Sequence, residues 1–220
     1  MPQSLRVAEQ ILSTNDRLAI QNRELLDHAR IFSINLMASP GAGKTSLIER
    51  TVARLSSRLS IGVIDGDIAT TIDADRAAAA GAMAVQINTG GECHLDAVMV
   101  RNGLSQLDLN RIGLLIVENV GNLVCPASFK LGTHLSVLIA SIPEGDDKPY
   151  KYPGMYRGVD ALIINKIDLL PYIPFRMDYF RKGVEILNPG VVTFPLSCMT
   201  NEGLQSWLDW VLNLVRKNRE

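Results

Sequence analysis

The stretch Ile31-Phe32-Ser33-Ile34-Asn35-Leu36-Met37, followed by Ala38-Ser39-Pro40-Gly41-Ala42-Gly43-Lys44-Thr45 and then by an amphipathic run to Leu59, decides how the rest of the chain is read. An apolar run of strand length breaks at a glycine-rich turn and gives way to helical spacing. Gly41 and Gly43 let successive backbone N–H groups curl around an oxyanion, and the helix that starts at Lys44 turns the positive end of its dipole toward it. Lys44 adds a point charge for phosphate oxygens, and the Thr45 hydroxyl suits Mg²⁺. The pattern GxxxxGK[ST] carries glycine where this chain has Ala38. That position asks for a small residue as the strand turns, and the cradle itself is formed further on, by Ser39, Pro40, Gly41, Ala42, Gly43, Lys44, Thr45 and Ser46.

Outward from this turn, β-rich runs alternate with helical ones. The expected strands are Ile31 to Met37, Ile61 to Ile64, Ala84 to Ile87, Ile112 to Val117, Leu135 to Ile142, Ala161 to Ile164 and Val191 to Phe194. The expected helices are Thr45 to Leu59, Asp73 to Ala80, His94 to Leu104, Phe175 to Leu187 and Asn201 to Arg216. Strict alternation of this kind predicts an α/β fold of the P-loop NTPase type, with a mostly parallel, about seven-stranded sheet flanked by helices. In such sheets ligands sit at the carboxyl ends of the strands.

Length and charge narrow the function. With 220 residues, 47% of them apolar, the chain fits one domain with a deep core. Its 22 basic and 23 acidic residues leave a net charge of −1, which gives no general attraction to nucleic acid or to an anionic membrane. No apolar run approaches the roughly eighteen residues of a membrane span, and Met1-Pro2-Gln3-Ser4 opens without a leader pattern, so a cytoplasmic location is expected. Residues 1–30 read as an N-terminal helical extension, with Val7, Ile11, Leu12, Leu18, Leu25 and Leu26 as its apolar positions and Asn15-Asp16 as a cap between two helices. Residues 31–220 read as the P-loop domain that carries every site.

The nucleotide is named by a second strand end. Ala161-Leu162-Ile163-Ile164 runs into Asn165-Lys166-Ile167-Asp168, an NKxD pattern. The Asp168 carboxylate can accept from both N1–H and the 2-amino group of guanine, and adenine offers no such donor pair, so GTP and GDP are the expected ligands. Lys166 is expected along the base plane, and Asn165 is expected to tie this loop to the phosphate loop. Ser197-Cys198 follows the last strand, where a backbone N–H can reach guanine O6; Cys198 also reads as a buried free thiol.

Asp65-Gly66-Asp67 and Glu118-Asn119 end two further strands. Thr45, Asp67 and Glu118 form the expected Mg²⁺ set and, with Lys44, the catalytic group; Asp65, Asp73 and Asp75 read as helix caps. No residue stands out for orienting an attacking water, so slow intrinsic turnover is expected. Cys93-His94 and Cys125 lie on loops at the same sheet edge, a soft to borderline donor set suited to Ni²⁺ or Zn²⁺. A tetrahedral ion would take its fourth ligand from water, Glu92 or a second subunit.

Together these residues resemble the HypB family of hydrogenase-maturation GTPases. The resemblance covers residues 15 to 215 and is carried by Ser39 to Thr45, Gln86 to Gly90, Cys93 to Ala97, Glu118 to Ser128, Glu144 to Pro149, Lys151 to Pro153 and Asn165 to Leu170. It implies a nucleotide-dependent homodimer that binds nickel or zinc through Cys93, His94 and Cys125. It further implies partners among hydrogenase maturation proteins and the hydrogenase large-subunit precursor. No Cys-rich motif or histidine-rich tail accompanies the domain, and His28 and His134 read as isolated surface or capping residues. The polar segment Ile142 to Pro153 is expected on the nucleotide or dimer surface, or as a solvated loop. Two rivals stand beside this reading. One is a urease-type nickel GTPase, disfavoured because Ala127 follows Cys125-Pro126 where that family has Cys-Pro-His; the other is a GTP-gated metal-binding scaffold in which hydrolysis is incidental.

Overall fold

The computed structural model describes residues 3–68 and 70–220, with side chains described from residue 12 onward. Strand β1 (Phe32–Ala38) is buried along its whole length, as a strand with helices on both faces must be. Among the described residues six more follow: β2 (Ile61–Asp67), β3 (Met83–Asn88), β4 (Leu114–Glu118), β5 (Leu135–Ser141), β6 (Ala161–Asn165) and β7 (Val192–Pro195). They form one sheet in the order β3-β2-β4-β1-β5-β6-β7, with every pair parallel. The helices are α1 (Gln3–His28), α2 (Lys44–Leu55), α3 (Ile72–Ala79), α4 (Ala97–Leu104), α5 (Lys148–Lys151), α6 (Pro153–Arg157), α7 (Met177–Leu187) and α8 (Leu204–Lys217).

Alternation along β1 sorts the core into two faces. Phe32, Ile34 and Leu36 point toward α2 and α8, where they pack with Leu47, Ile48, Trp207 and Val211. Ser33 and Asn35 point the other way, toward α1 and the loops that α1 covers. That second face holds two clusters, one around Leu26, Leu95, Val100 and Val117, the other around Met155, Tyr156 and Phe180. All seven strands occupy the positions expected from the sequence.

Three local expectations change. Asn15-Asp16 does not separate two helices, because α1 runs unbroken from Gln3 to His28. Asn15 is buried in mid-helix, where its amide reaches backbone groups of distant segments. Val7 and Ile11 lie outside the described side chains. His134 is not a surface residue: its Nδ1 lies 2.7 Å from Ser33 Oγ and its Nε2 lies 2.8 Å from Asp27 Oδ1, so it clasps α1 to the start of β1. Ile142 to Pro153 is folded rather than a plain loop, as a 3₁₀ turn (Ile142–Glu144) followed by α5 and the start of α6. Among the described residues, no helix is long and apolar enough to cross a membrane.

Candidate functional site

The β1–α2 turn builds a phosphate cradle from backbone. Gly41 and Gly43 adopt φ of 74° and 104°, the left-handed region that disfavours any side chain. At Gly43 a Cβ would also collide with the Asn165 amide, so two independent constraints fix glycine there. Asn165 Nδ2 donates to the Ala42 carbonyl at 2.9 Å and Lys166 Nζ donates to the Gly41 carbonyl at 2.7 Å, which ties the NKxD segment to the phosphate loop. Ser39 Oγ donates to Glu144, whose other carboxylate oxygen accepts from the Ser141 N–H and hydroxyl. A cleft of about 550 Å³ opens over this turn, lined by Pro40, Lys44, Ser46, Asp67, Arg76 and Glu118 among others.

Beyond the end of β6, Asp168 Oδ1 is buried and has no hydrogen-bond partner. An acceptor held in that state costs free energy unless a donor arrives, and the paired donors of guanine match it. Cys198 is buried, and burial pushes its thiol up to about 11. Its N–H donates to Asn165 Oδ1 at 3.3 Å and its carbonyl accepts from Arg50, so the loop after β7 is latched to the NKxD segment.

Thr45, Asp67 and Glu118 all line this cleft, and two further carboxylates join them. Strand β2 continues to Asp67 and not merely to Ile64, which places Asp65 in register beside Glu118 of β4. Oxygens of Asp65, Asp73 and Glu118 lie within 4.8 Å of one another. Asp73 therefore faces this cluster from the first turn of α3; it is not the cap, which falls at Thr71. Asp67 lines the cleft, but its carboxylate accepts from the Ile68 and Thr70 N–H groups and the Thr70 hydroxyl.

Thr45 Oγ1 donates to Glu118 Oε1 at 2.8 Å. Burial, opposed by Lys44 and reinforced by Asp65, pushes Glu118 up to about 8. Burial and then the charges of Asp73 and Asp67 push Asp65 up to about 7, against the pull of Lys44. Asp65 Oδ2 has no hydrogen-bond partner. Crowded carboxylates of this kind, one of them bonded to the Thr45 hydroxyl, fit a hard divalent cation such as Mg²⁺.

Cys93, His94 and Cys125 converge on the neighbouring loops, each partly exposed, with donor atoms within 4.8 Å of one another. The sulfurs of Cys93 and Cys125 are 2.8 Å apart, and Cys93 Sγ lies 3.7 Å from His94 Nδ1. The His94 ring rests on Phe129 with centroids 3.9 Å apart. Two sulfurs and an imidazole nitrogen that close on one point, open to solvent on one side, fit Ni²⁺ or Zn²⁺ with room for a further ligand.

A residue that sequence reasoning passed over joins the two sites. Asn119, next to Glu118, is 1% exposed. Its Oδ1 accepts from Leu95 N–H at 3.0 Å and from Val120 N–H at 3.0 Å, and its Nδ2 donates to Asn35 Oδ1 at 3.2 Å. Leu95 directly follows His94, and the chain leaving Asn119 leads to Cys125 through Asn122, whose Oδ1 accepts from the Val124 and Cys125 N–H groups. Nothing in the spacing of Asn119 announces this; it follows from which loops the sheet order brings together.

A parallel sheet with a phosphate cradle at its central strand and a guanine-type acceptor two strands away defines a P-loop nucleotide-binding protein. The model of the CobW/HypB/UreG nucleotide-binding domain matches residues 32–194. Over 207 residues the chain is 46% identical to the hydrogenase maturation factor HypB of Azotobacter vinelandii, covering 94% of this chain and 68% of that protein. It is 40% identical to the probable hydrogenase maturation factor HypB of Methanocaldococcus jannaschii, covering 97% of this chain and 96% of that one. The solved structure of HypB from Helicobacter pylori in complex with nickel matches with a TM-score of 0.89 at 36% identity, covering 93% of this chain and 96% of that one. The chain belongs to the HypB family of hydrogenase maturation factors.

Proposed function

We propose that this protein is a GTP-hydrolysing metallochaperone that couples GTP binding and dimerisation to the delivery of nickel for [NiFe] hydrogenase maturation. The observation that carries the reading is the Asn119 bridge: Glu118 faces the phosphate cleft, and its neighbour bonds the loop that bears Cys93 and His94. Lys44 and the N–H groups of Gly41 to Ser46 take the β- and γ-phosphates, and Asp168 selects guanine. Thr45, Glu118 and Asp65, with Asp67 and Asp73 at the rim, hold Mg²⁺ directly or through water. When bound, that ion neutralises charge on the β- and γ-oxygens.

Arg76 pairs with Glu49 and Asp73, and Asp67 bonds its own loop. With no side chain singled out for orienting an attacking water, slow intrinsic turnover timed by assembly is part of this reading. Exposed Ile68, Ile72 and Val124 flank the cleft and the cage and support a second copy as the covering partner. Residues 31–220 carry both sites, with residues 1–30 as the helical extension. The triad Cys93, His94 and Cys125 binds nickel or zinc as cargo, which passes to maturation partners or the hydrogenase large-subunit precursor.

The test is a nickel titration by calorimetry in the GDP state and in a non-hydrolysable GTP state, with light scattering on the same samples. The expected result is a different nickel affinity in the two states and a shift toward dimer with the triphosphate. Equal affinities in both states would overturn the coupling.

A further inference from the structure

Among the described residues, none of helix α1 lines the phosphate cleft, yet the helix buries two amides. Asn15 is 6% exposed and Asn22 is completely buried. Their spacing of two helical turns puts them on one face. Both reach the same pair of distant segments. Asn15 Oδ1 accepts from the Ala97 N–H at 2.9 Å, and its Nδ2 donates to the Lys130 carbonyl at 2.9 Å. Asn22 Nδ2 donates to the Ala97 carbonyl at 2.8 Å and to the Leu131 carbonyl at 3.0 Å.

Those two segments are the continuations of the two halves of the metal cage. Ala97 opens α4 just after Cys93-His94, and Lys130-Leu131 follow the turn that begins at Cys125 and carries Phe129, on which His94 rests. The Ala97 N–H is a first-turn donor without an acceptor in its own helix, so Asn15 completes the start of α4 while Asp96 caps Met99.

Packing alone does not call for amides here. An apolar side chain would seal α1 against the core, whereas a buried amide is unfavourable wherever one of its atoms lacks a partner, as Asn22 Oδ1 does. Two amides on one face, each bridging the same two segments, instead fix the distance between those segments.

We infer that Asn15 and Asn22 are positioning residues for the metal cage. Helix α1 holds the Cys93-His94 loop and the Cys125 turn at the separation where two sulfurs and one imidazole close on a single ion. The inference rests on the reading of that triad as the cation site and adds a role for α1: it sets metal affinity through bonds separate from those of Asn119, independently of the nucleotide.

The test titrates the full chain with Ni²⁺ against a competing chelator, following thiolate-to-nickel charge-transfer absorption, for wild type, Asn22→Ala, Asn15→Ala and a control. The control is Val211→Ala, buried in α8 on the other side of the sheet, which lowers stability without touching either loop. Asn22→Ala is expected to weaken nickel binding about tenfold, the usual effect of removing an outer support, and to shift the absorption band. Val211→Ala should melt earlier with wild-type nickel affinity and spectrum.

A folded Asn22→Ala protein with the wild-type affinity and band would overturn the inference. If Asn22→Ala does not fold, Asn15→Ala, which leaves the Asn22 bonds in place, carries the same expectation and the same overturning result. A Cys125→Ala chain that binds nickel as wild type does would remove the cage itself, and this inference with it.

Discussion

The nucleotide cleft and the proposed metal cage lie on one sheet edge and are built on opposite plans. The cleft is made of groups whose positions the sheet dictates: glycines with positive φ at a strand end, an in-register carboxylate pair, and buried acceptors already waiting for donors. The proposed cage is made of partly exposed side chains on loops, and buried asparagines bond the segments that follow those loops. A preformed pocket suits a ligand held in one pose. A loop-borne cage, adjustable from outside, suits an ion that has to be released. The contrast means that the two sites should fail separately when their own atoms are removed, and together when the bonds between them are cut.

Removing the charge at the centre of the cleft should give the largest effect. Lys44→Ala is expected to weaken GTP binding by about 3 kcal/mol, on the order of a hundredfold, while nickel binding in the nucleotide-free state persists; fluorescent nucleotide titration checks the first and chelator competition the second. The mirror experiment is Cys125→Ala, which should weaken nickel binding by about ten- to a hundredfold and leave GTP affinity as it is. If either change damaged both sites equally, the separation would be lost.

Cutting the bridge is more selective. Asn119→Ala should retain both ligands but reduce the ratio of nickel affinities between GDP and triphosphate states toward unity, a few-fold effect of the size usual for coupling between sites. A ratio equal to wild type would mean that the two regions communicate by another route.

The smallest effect concerns the anchorage of α1. His134 is held below its ordinary pKa by burial and by the charge of Arg23, against the pull of Asp27. The folded protein therefore resists protonating it while the unfolded chain does not, so stability is lost as pH falls below the unfolded value near 6.5 and levels off below the folded one. Thermal melts across this range should show a shallower pH slope for His134→Asn than for wild type.

What could be read from the sequence follows the same division. The cleft was legible because glycine, lysine and the NKxD quartet have narrow chemical uses at strand ends, and the burial of β1 and β6 leaves them few alternatives. Asp65 was read as a cap because the boundary was drawn too early: β2 runs on to Asp67, and only the register of β2 against β4 shows that Asp65 lies beside Glu118. Asn15 looked like a cap because asparagine serves both as a helix start and as a buried bridge, and sequence periodicity cannot tell whether its amide bonds a near or a distant backbone. His134 read as isolated and Asn119 carried no role for the same reason, since their partners Asp27, Ser33, Asn35 and Leu95 are neighbours only in space.

The strand order has a consequence for how the protein is made. The first strand to leave the ribosome, β1, settles between β4 and β5, and its turn is braced by Asn165 and, through that residue, by Cys198. The cradle thus has no rigid wall until nearly the whole chain has emerged, and such distant pairings form slowly. A nucleotide that binds only the finished pocket would favour its closure by mass action.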